Sequence, residues 1–195
     1  MQMTYSFTKE EFIGLEGKNI YLRKLSKEVC EDYFMAIDNT SVETDIYTGT
    51  THKFVKSQIE SYIANNESDL SRIDLLIYTK EEDKLVGEVV INDIDAHSRI
   101  GSLRIAIFDY LDFNKGYGSE GIILALGYGF GMLNLHRIEL EVFDYNERGL
   151  HVYEKIGFKK EGVKREAGYF NHKYHDIVCM SMLSEEFRTY HLSDY

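Results

Sequence analysis

The sequence predicts a mixed α/β domain: a mostly antiparallel, twisted sheet with one parallel strand pair and helices on both faces. Three observations lead there. Apolar, Val/Ile-rich runs at 73–79, 85–94 and 100–108 are joined by short polar turns, and strands joined so closely must be antiparallel. A Gly-rich turn and a helical pattern then separate residues 100–108 from the strand run 137–142, enough chain for a crossover to a parallel neighbour. The chain has 195 residues, of which 44% are hydrophobic, so it can bury the core of a single domain without staples.

The elements follow in order. Residues 1–16 read as an N-terminal leader, residues 17–187 as the domain and residues 188–195 as a tail. Asn19–Arg23 alternates, with Ile20 and Leu22 on one side, and reads as a strand. Ser26 is placed to cap a helix whose apolar face is Cys30, Tyr33, Phe34 and Ile37. Residues 38–51 read as a polar stretch, and Val55, Ile59, Tyr62 and Ile63 mark a second amphipathic helix. After the three strands, the turn 114–119 opens a helix to about Leu133. Arg137–Val142 is a strand, and Asn146 caps a short helix that stops at Gly157. Phe158–Ala167 and Tyr174–Met182 form a hairpin around 170–173, and Ser184–Tyr190 is a terminal helical turn.

The net charge is −11, which argues against nonspecific nucleic-acid or membrane binding, since both partners are anionic. A local anion site built from backbone groups stays compatible with it. Cys30 and Cys179 each sit among apolar residues and are expected as reduced thiols of a cytoplasmic protein, with one disulfide as the alternative. No Cys/His pattern has zinc spacing, and no metal is expected. The N-terminal residues lack the basic and apolar blocks of a signal peptide. The longest uncharged stretch, 121–135, is too short and Gly-rich to span a bilayer.

The strand, Gly-rich turn and helix at 100–133 carry the most chemical information. A helix start leaves backbone N–H groups unpaired and holds a partial positive charge. Gly116 and Gly118 let the backbone approach a ligand, and Lys115 adds a cation, an arrangement that suits a phosphate or pyrophosphate. A simple turn before a helix is the alternative. A P-loop is excluded because its spacing and its Lys-Ser/Thr pair are missing, and a dinucleotide fingerprint because the third glycine is misplaced. A second cluster, 146–158, places Asn146 between a strand and a helix. There it serves either as a ligand contact at the open end of a sheet or as an N-cap, with Tyr153 packed on the core.

The two clusters, in this order and separation, resemble the GNAT superfamily of acetyl-CoA-dependent N-acetyltransferases over residues 17–187. Within it, Glu161-Gly162 and Tyr174-His175-Asp176 are similar to the RimJ/RimL-like branch, which holds ribosomal-protein alanine and spermidine N-acetyltransferases. The resemblance implies a splay in the parallel strand pair and acetyl-CoA as donor. Phe113, Asn114, Lys115, Gly116, Tyr117, Gly118 and Ser119 fall on the superfamily's pyrophosphate loop and its helix start. Ala106, Ile107 and Phe108 fall on the strand that pairs with the pantetheine arm. Asn146 matches the pantetheine-bonding Asn, with Gly149 and Lys155 on the same helix, and Tyr153 matches the Tyr near the thioester sulfur. Three positions depart from the pattern: Phe113 stands for the usual Gln or Arg, Gly149 for Ser or Ala, and Asp109-Tyr110 lacks a Pro.

Acetyl transfer to an amine needs alignment, a neutral amine and a leaving thiolate. Alignment lowers a barrier by roughly 7–11 kcal/mol. Tyr153, with a reference pKa of about 10, remains protonated at neutral pH and can donate to a thiolate. A Lys-like amine is neutral in only about 1 part in 2,500 at pH 7, a handicap of roughly 4.6 kcal/mol, so a base is required. Glu88, on the strand beside the donor strand, is the candidate, against the alternative of a solvated strand Glu. His136, His151 and His175 are further candidates by chemistry, of which His136 and His151 read as surface or capping residues, and Asp176 reads as structural. Glu43 and Asp45 are the candidate substrate-binding residues of an acidic loop suited to a cationic amine (a polyamine, an aminoglycoside or a basic protein N-terminus), against the alternative of a solvated acidic loop. Spermidine/spermine acetylation is the nearest alternative. A non-catalytic acyl-CoA sensor is the competing class, and a homodimer is left open.

Overall fold

The computed structural model describes residues 15–192, so the leader expected at 1–16 lies outside the described residues up to residue 14. The strands are β1 (Leu15–Glu16), β2 (Ile20–Lys24), β3 (Ile73–Thr79), β4 (Leu85–Asp95), β5 (Ile100–Ile107), β6 (Arg137–Phe143), β7 (Lys159–Phe170) and β8 (Lys173–Leu183). The helices are α1 (Cys30–Asp38), α2 (Val42–Thr48), α3 (Lys56–Asn66), α4 (Tyr117–Gly131), α5 (Glu147–Ile156) and α6 (Ser184–His191). One eight-stranded sheet runs β1-β2-β3-β4-β5-β6-β8-β7. The expected parallel pair is β5 with β6, and it is short: Ile100–Ser102 against Arg137–Glu139, although β5 continues to Ile107.

The chain divides into two compact units, one reaching Val90 and including Ile105–Ala125, the other made of Ile91–Arg104 and the chain from Leu126 onward. In the first, β2 pairs antiparallel with β3, from Ile20 against Thr79 to Lys24 against Leu75. The apolar faces predicted for the two amphipathic helices meet there except at Val55, which precedes α3 and is exposed: Tyr33 of α1 and Ile59 and Ile63 of α3 are buried with Leu76, Tyr78 and Phe108, and Cys30, Phe34 and Ile37 pack against them half-buried. Burying an aliphatic side chain in this way stabilises by about 1.5–3 kcal/mol.

Two local expectations change. Ser26 makes no side-chain cap; a 3-10 turn, Lys27–Val29, leads into α1 instead, and the Ser26 carbonyl accepts from the Val29 N–H at 3.2 Å. The polar stretch 38–51 holds a helix, α2, capped by the Ser41 hydroxyl on the Thr44 N–H and ended by Gly49 in the left-handed region at φ 70°.

In the second unit β6 pairs antiparallel with β8, and β8 with β7, which carries irregularities between Lys160 and Gly162 and between Lys164 and Gly168. Glu161, at the first of these, takes Arg137 through two bonds of 2.6 and 2.5 Å and the Ser181 hydroxyl at 2.8 Å. Arg137 and Ser181 hold its carboxyl at about 2. Asn171 and His172, both left-handed, make the hairpin turn, one residue tighter at each end than the sequence suggested. Phe187 of α6 packs on Phe130 of α4 with ring centroids 5.3 Å apart.

Leu76 is fully buried and Leu70 is 92% exposed. Leu76→Ala is expected to cost about 2–5 kcal/mol in urea denaturation, and Leu70→Ala less than about 0.5 kcal/mol. Equal losses would contradict this placement of the core.

Candidate active site

The Gly-rich loop lies in the first unit. Asp109 starts a 3-10 turn, Tyr110–Asp112, by accepting the Leu111 N–H at 2.9 Å. The chain then passes Asn114 and Gly116, both left-handed at φ 62° and 85°. A Cβ at Gly116 would meet nothing within 4 Å, so backbone conformation, not crowding, demands glycine there. Helix α4 begins at Tyr117, and its first turn is closed by the Glu120 N–H on the Gly116 carbonyl at 3.0 Å. Among the described residues no carbonyl or side chain bonds the amides of Tyr117, Gly118 and Ser119. The loop therefore presents a set of backbone donors beside open space, which fits a diphosphate. The Glu120 carboxylate turns the other way, onto the Asn19 N–H at 2.9 Å.

Lys115 is less free than the sequence suggests. Its ammonium bonds the buried Asp112 carboxylate at 2.8 Å, and Lys84 of the β3–β4 turn bonds the same carboxylate at 2.6 Å. Burial pushes the Asp112 carboxyl up, but the two lysines outweigh it and hold it below the usual carboxylate range. Lys115 thus lies along the loop at a fixed height, 5.9 Å from the Tyr117 ring centroid. Phe113, standing where Gln or Arg is usual, sets its ring 6.3 Å from that of Tyr47 on α2.

At the end of β5, Phe108 donates its N–H to the Val86 carbonyl at 2.9 Å. Phe108 therefore faces β4, and strand alternation turns the Ile107 amide to the opposite edge. A Cβ at Gly87 would sit 2.4 Å from the Ala106 carbonyl oxygen, so β4 runs hard against the proposed donor strand. Glu88 is next along β4. It is buried, at 6% exposure, and accepts the Tyr33 hydroxyl at 2.6 Å, so the solvated alternative does not hold. Of the two candidate acceptor residues, Asp45 accepts the Thr40 hydroxyl at 2.9 Å and lies 3.9 Å from the Lys53 ammonium, while Glu43 is exposed.

In the second unit, the Asn146 side-chain oxygen accepts the Gly149 N–H at 2.8 Å, so the N-cap reading of Asn146 is borne out. The cap leaves the Asn146 amide N–H groups unused by it. A Cβ at Gly149 would fall 2.8 Å from the Asn146 amide nitrogen, so a larger residue there would press on the capping side chain. Tyr153 is 8% exposed, with its ring at 5.9 Å and 69° to Phe158. Burial pushes its phenol up to about 12, with Arg148 opposing weakly. Lys155, His136 and His151 are exposed. Asp176 accepts the Glu166 N–H at 2.8 Å within the hairpin, and His175 lies 3.5 Å from Asp144 with its ring against Tyr145, tying β8 to the turn after β6. Cys30 and Cys179 are free thiols. Among the described residues no cluster of His, Cys, Asp and Glu could hold a metal ion, and no helix is long and apolar enough to cross a membrane.

The raised Tyr153 phenol has a consequence for stability. Its folded pKa of about 12 lies above the unfolded value, so its contribution is complete below about pH 10 and is lost as pH rises toward 12. Between pH 9 and 11 this amounts to about 1.3 kcal/mol. Urea denaturation at the two pH values should show Tyr153→Phe losing less stability than the wild type by about that amount. Identical pH dependence would contradict the buried phenol.

Known proteins bear on the whole arrangement. The acetyltransferase (GNAT) domain family matches residues 19–159. "Probable N-acetyltransferase YjcK" of Bacillus subtilis is 30% identical over 186 residues, 88% of this chain and 98% of that protein. Spermidine N(1)-acetyltransferase of Vibrio cholerae is 34% identical over 103 residues, 53% of this chain and 59% of that protein. The crystal structure of the Vibrio cholerae spermidine N-acetyltransferase with CoA and spermine superposes with a TM-score of 0.78 at 25% identity, covering 87% of this chain and 98% of that one. With the family model matching residues 19–159, a relative of 30% identity along most of the chain and a short parallel strand pair, the chain belongs to the GNAT acetyltransferase family.

Proposed function

We propose that the chain acetylates a primary amine of the spermidine/spermine class, taking the acetyl group from acetyl-CoA by direct transfer. The observation that carries this reading is the row of unbonded amides from Tyr117 to Ser119 beside the left-handed Gly116. Acetyl-CoA, when bound, supplies an activated acetyl thioester. In this reading its diphosphate is held by those amides, with Phe113, Asn114 and Lys115 forming the loop that shapes them. Ala106, Ile107 and Phe108 take the pantetheine arm as an added strand, through the outward Ile107 amide. Asn146 uses its spare amide N–H groups on the same arm, with Gly149 and Lys155 beside it on α5.

Two buried groups manage protons. Tyr153 holds its proton on Oη at neutral pH, since burial raises the phenol to about 12, and donates from there toward the leaving sulfur. Glu88 accepts the proton that the amine must lose, its carboxylate fixed by the Tyr33 hydroxyl at 2.6 Å. The acceptor class rests on the net charge of −11, on the exposed Glu43 of α2 with Asp45 behind it, and on the spermidine acetyltransferases among the relatives. The reading includes a cytoplasmic location, in keeping with the two free thiols.

The test is thiol release from acetyl-CoA with spermidine, spermine, ribosomal N-terminal peptides and aminoglycosides. The polyamines are expected to turn over fastest. Turnover only on peptides would overturn the acceptor class, and saturable CoA binding without turnover on any amine would favour a sensor. Tyr153→Phe is expected to lower kcat on the order of 10²-fold while CoA affinity by calorimetry stays unchanged. A loss under threefold in a folded variant removes Tyr153 from the mechanism. Gly116→Ala, which puts a Cβ at φ 85°, is expected to weaken CoA binding about tenfold, and an unchanged Kd would place the diphosphate elsewhere.

A further inference from the structure

Helix α2 was invisible as a helix in the sequence, and its contacts give it a task. Three residues spaced three apart lie along one side of it. The Ser41 N–H donates to the Phe108 carbonyl at 2.9 Å. The Thr44 hydroxyl reaches the Ile107 carbonyl at 2.7 Å and the Phe108 carbonyl at 3.2 Å. The Tyr47 ring meets Phe113 at the head of the Gly-rich loop. The opposite side faces solvent: Val42 is 70% exposed, Ile46 is 38% exposed, and Glu43 between them is exposed as well. A hydroxyl has one proton to give, so Thr44 serves the nearer carbonyl, Ile107, and touches the second. Thr44 itself is only 4% exposed, so the contact is shielded from competing water.

We propose that Thr44 is a positioning residue for acetyl transfer: its hydroxyl sets the register of the acceptor-side helix α2 against the end of the donor strand β5. The proposal rests on the reading that Ile107 and Phe108 take the donor and Glu43 the amine. The Phe108 N–H on Val86 holds the end of β5 without Thr44, so loss of the Thr44 hydroxyl leaves the donor strand in place and leaves α2 attached through the Ser41 N–H and the Tyr47 ring, with room to shift. The Ile107 carbonyl then loses a buried partner, and the amine is presented out of line with the acetyl group. Misplacement of about 1 Å costs as much as 10²-fold in rate, so even a small drift of α2 is readable.

The experiment compares Thr44→Val, Thr44→Ala and Thr44→Ser with the wild type. CoA affinity and spermidine affinity of the CoA complex are measured by calorimetry, and kcat and acceptor KM by thiol release. Val and Ala are expected to lower kcat about tenfold and to weaken spermidine binding, with the CoA Kd within about twofold of the wild type. Ser, which keeps the hydroxyl, is expected to restore both. Thr44→Ala keeps the test open should the Val methyl against two carbonyls prevent folding. Folded Val or Ala variants with wild-type kcat and spermidine affinity would overturn the proposal. So would a CoA Kd that rises in step with the acceptor effects, which marks general damage instead of misregistration. A wild-type protein inactive on every amine overturns the acceptor reading first and this proposal with it, a result distinct from active wild type with indifferent Thr44 variants.

Discussion

Among the described residues, the backbone amides of Tyr117, Gly118 and Ser119 at the start of α4 have no partner within the protein. Every helix begins with such orphans, and proteins ordinarily cover them with a cap. Asn146 does so for α5 and Ser41 for α2. At α4 the neighbouring side chains are engaged elsewhere: Glu120 on Asn19, Asp112 on two lysines, Phe113 on Tyr47. With the left-handed Gly116 before them, the amides of Tyr117 to Ser119 stay available to an anion, within reach of the helix's partial positive charge.

Burial shapes the proposed proton chemistry in two opposite ways. Tyr153 is kept neutral by desolvation, which suits a group that must hold a proton until a sulfur needs it. Glu88 is also buried, but it meets the Tyr33 hydroxyl, and a fixed hydrogen bond orients the carboxylate. The acidic character of the chain acts over longer range. It makes a cationic acceptor more welcome than an anionic one without fixing which amine is bound.

Much of the fold was legible because strands and helices of this length write their period into the sequence. Ile73–Thr79, Ile100–Ile107 and the Tyr33/Ile59/Ile63 faces fell where apolar spacing put them, and the Gly-rich turn marked the start of α4. Helix α2 escaped because seven residues of VETDIYT carry no apolar stripe of their own; the helix is held by a cap and by contacts to β5 that only the fold supplies. Ser26 misled for the converse reason, since a suitable residue is not yet a bond. Around the proposed site, the N-cap of Asn146, the turn at Gly116 and the packing of Tyr153 on the core were readable from type and place. The pairing of Lys115 with Asp112 and Lys84, the covering of Glu88 by Tyr33, and the use of Phe113 against Tyr47 were not. Lys84 with Asp112, Tyr33 with Glu88 and Tyr47 with Phe113 are each distant in sequence, so residue type and local spacing do not bring them together.

The central claim is that these amides grip the donor's diphosphate, and amide NMR tests it most directly. CoA is titrated into 15N-labelled protein while the backbone resonances of 114–120 are followed, with hydrogen exchange at saturation. The account predicts that Tyr117, Gly118 and Ser119 show large downfield amide shifts and slowed exchange. Saturation with CoA that leaves those three amides unshifted and exchanging as before would contradict it.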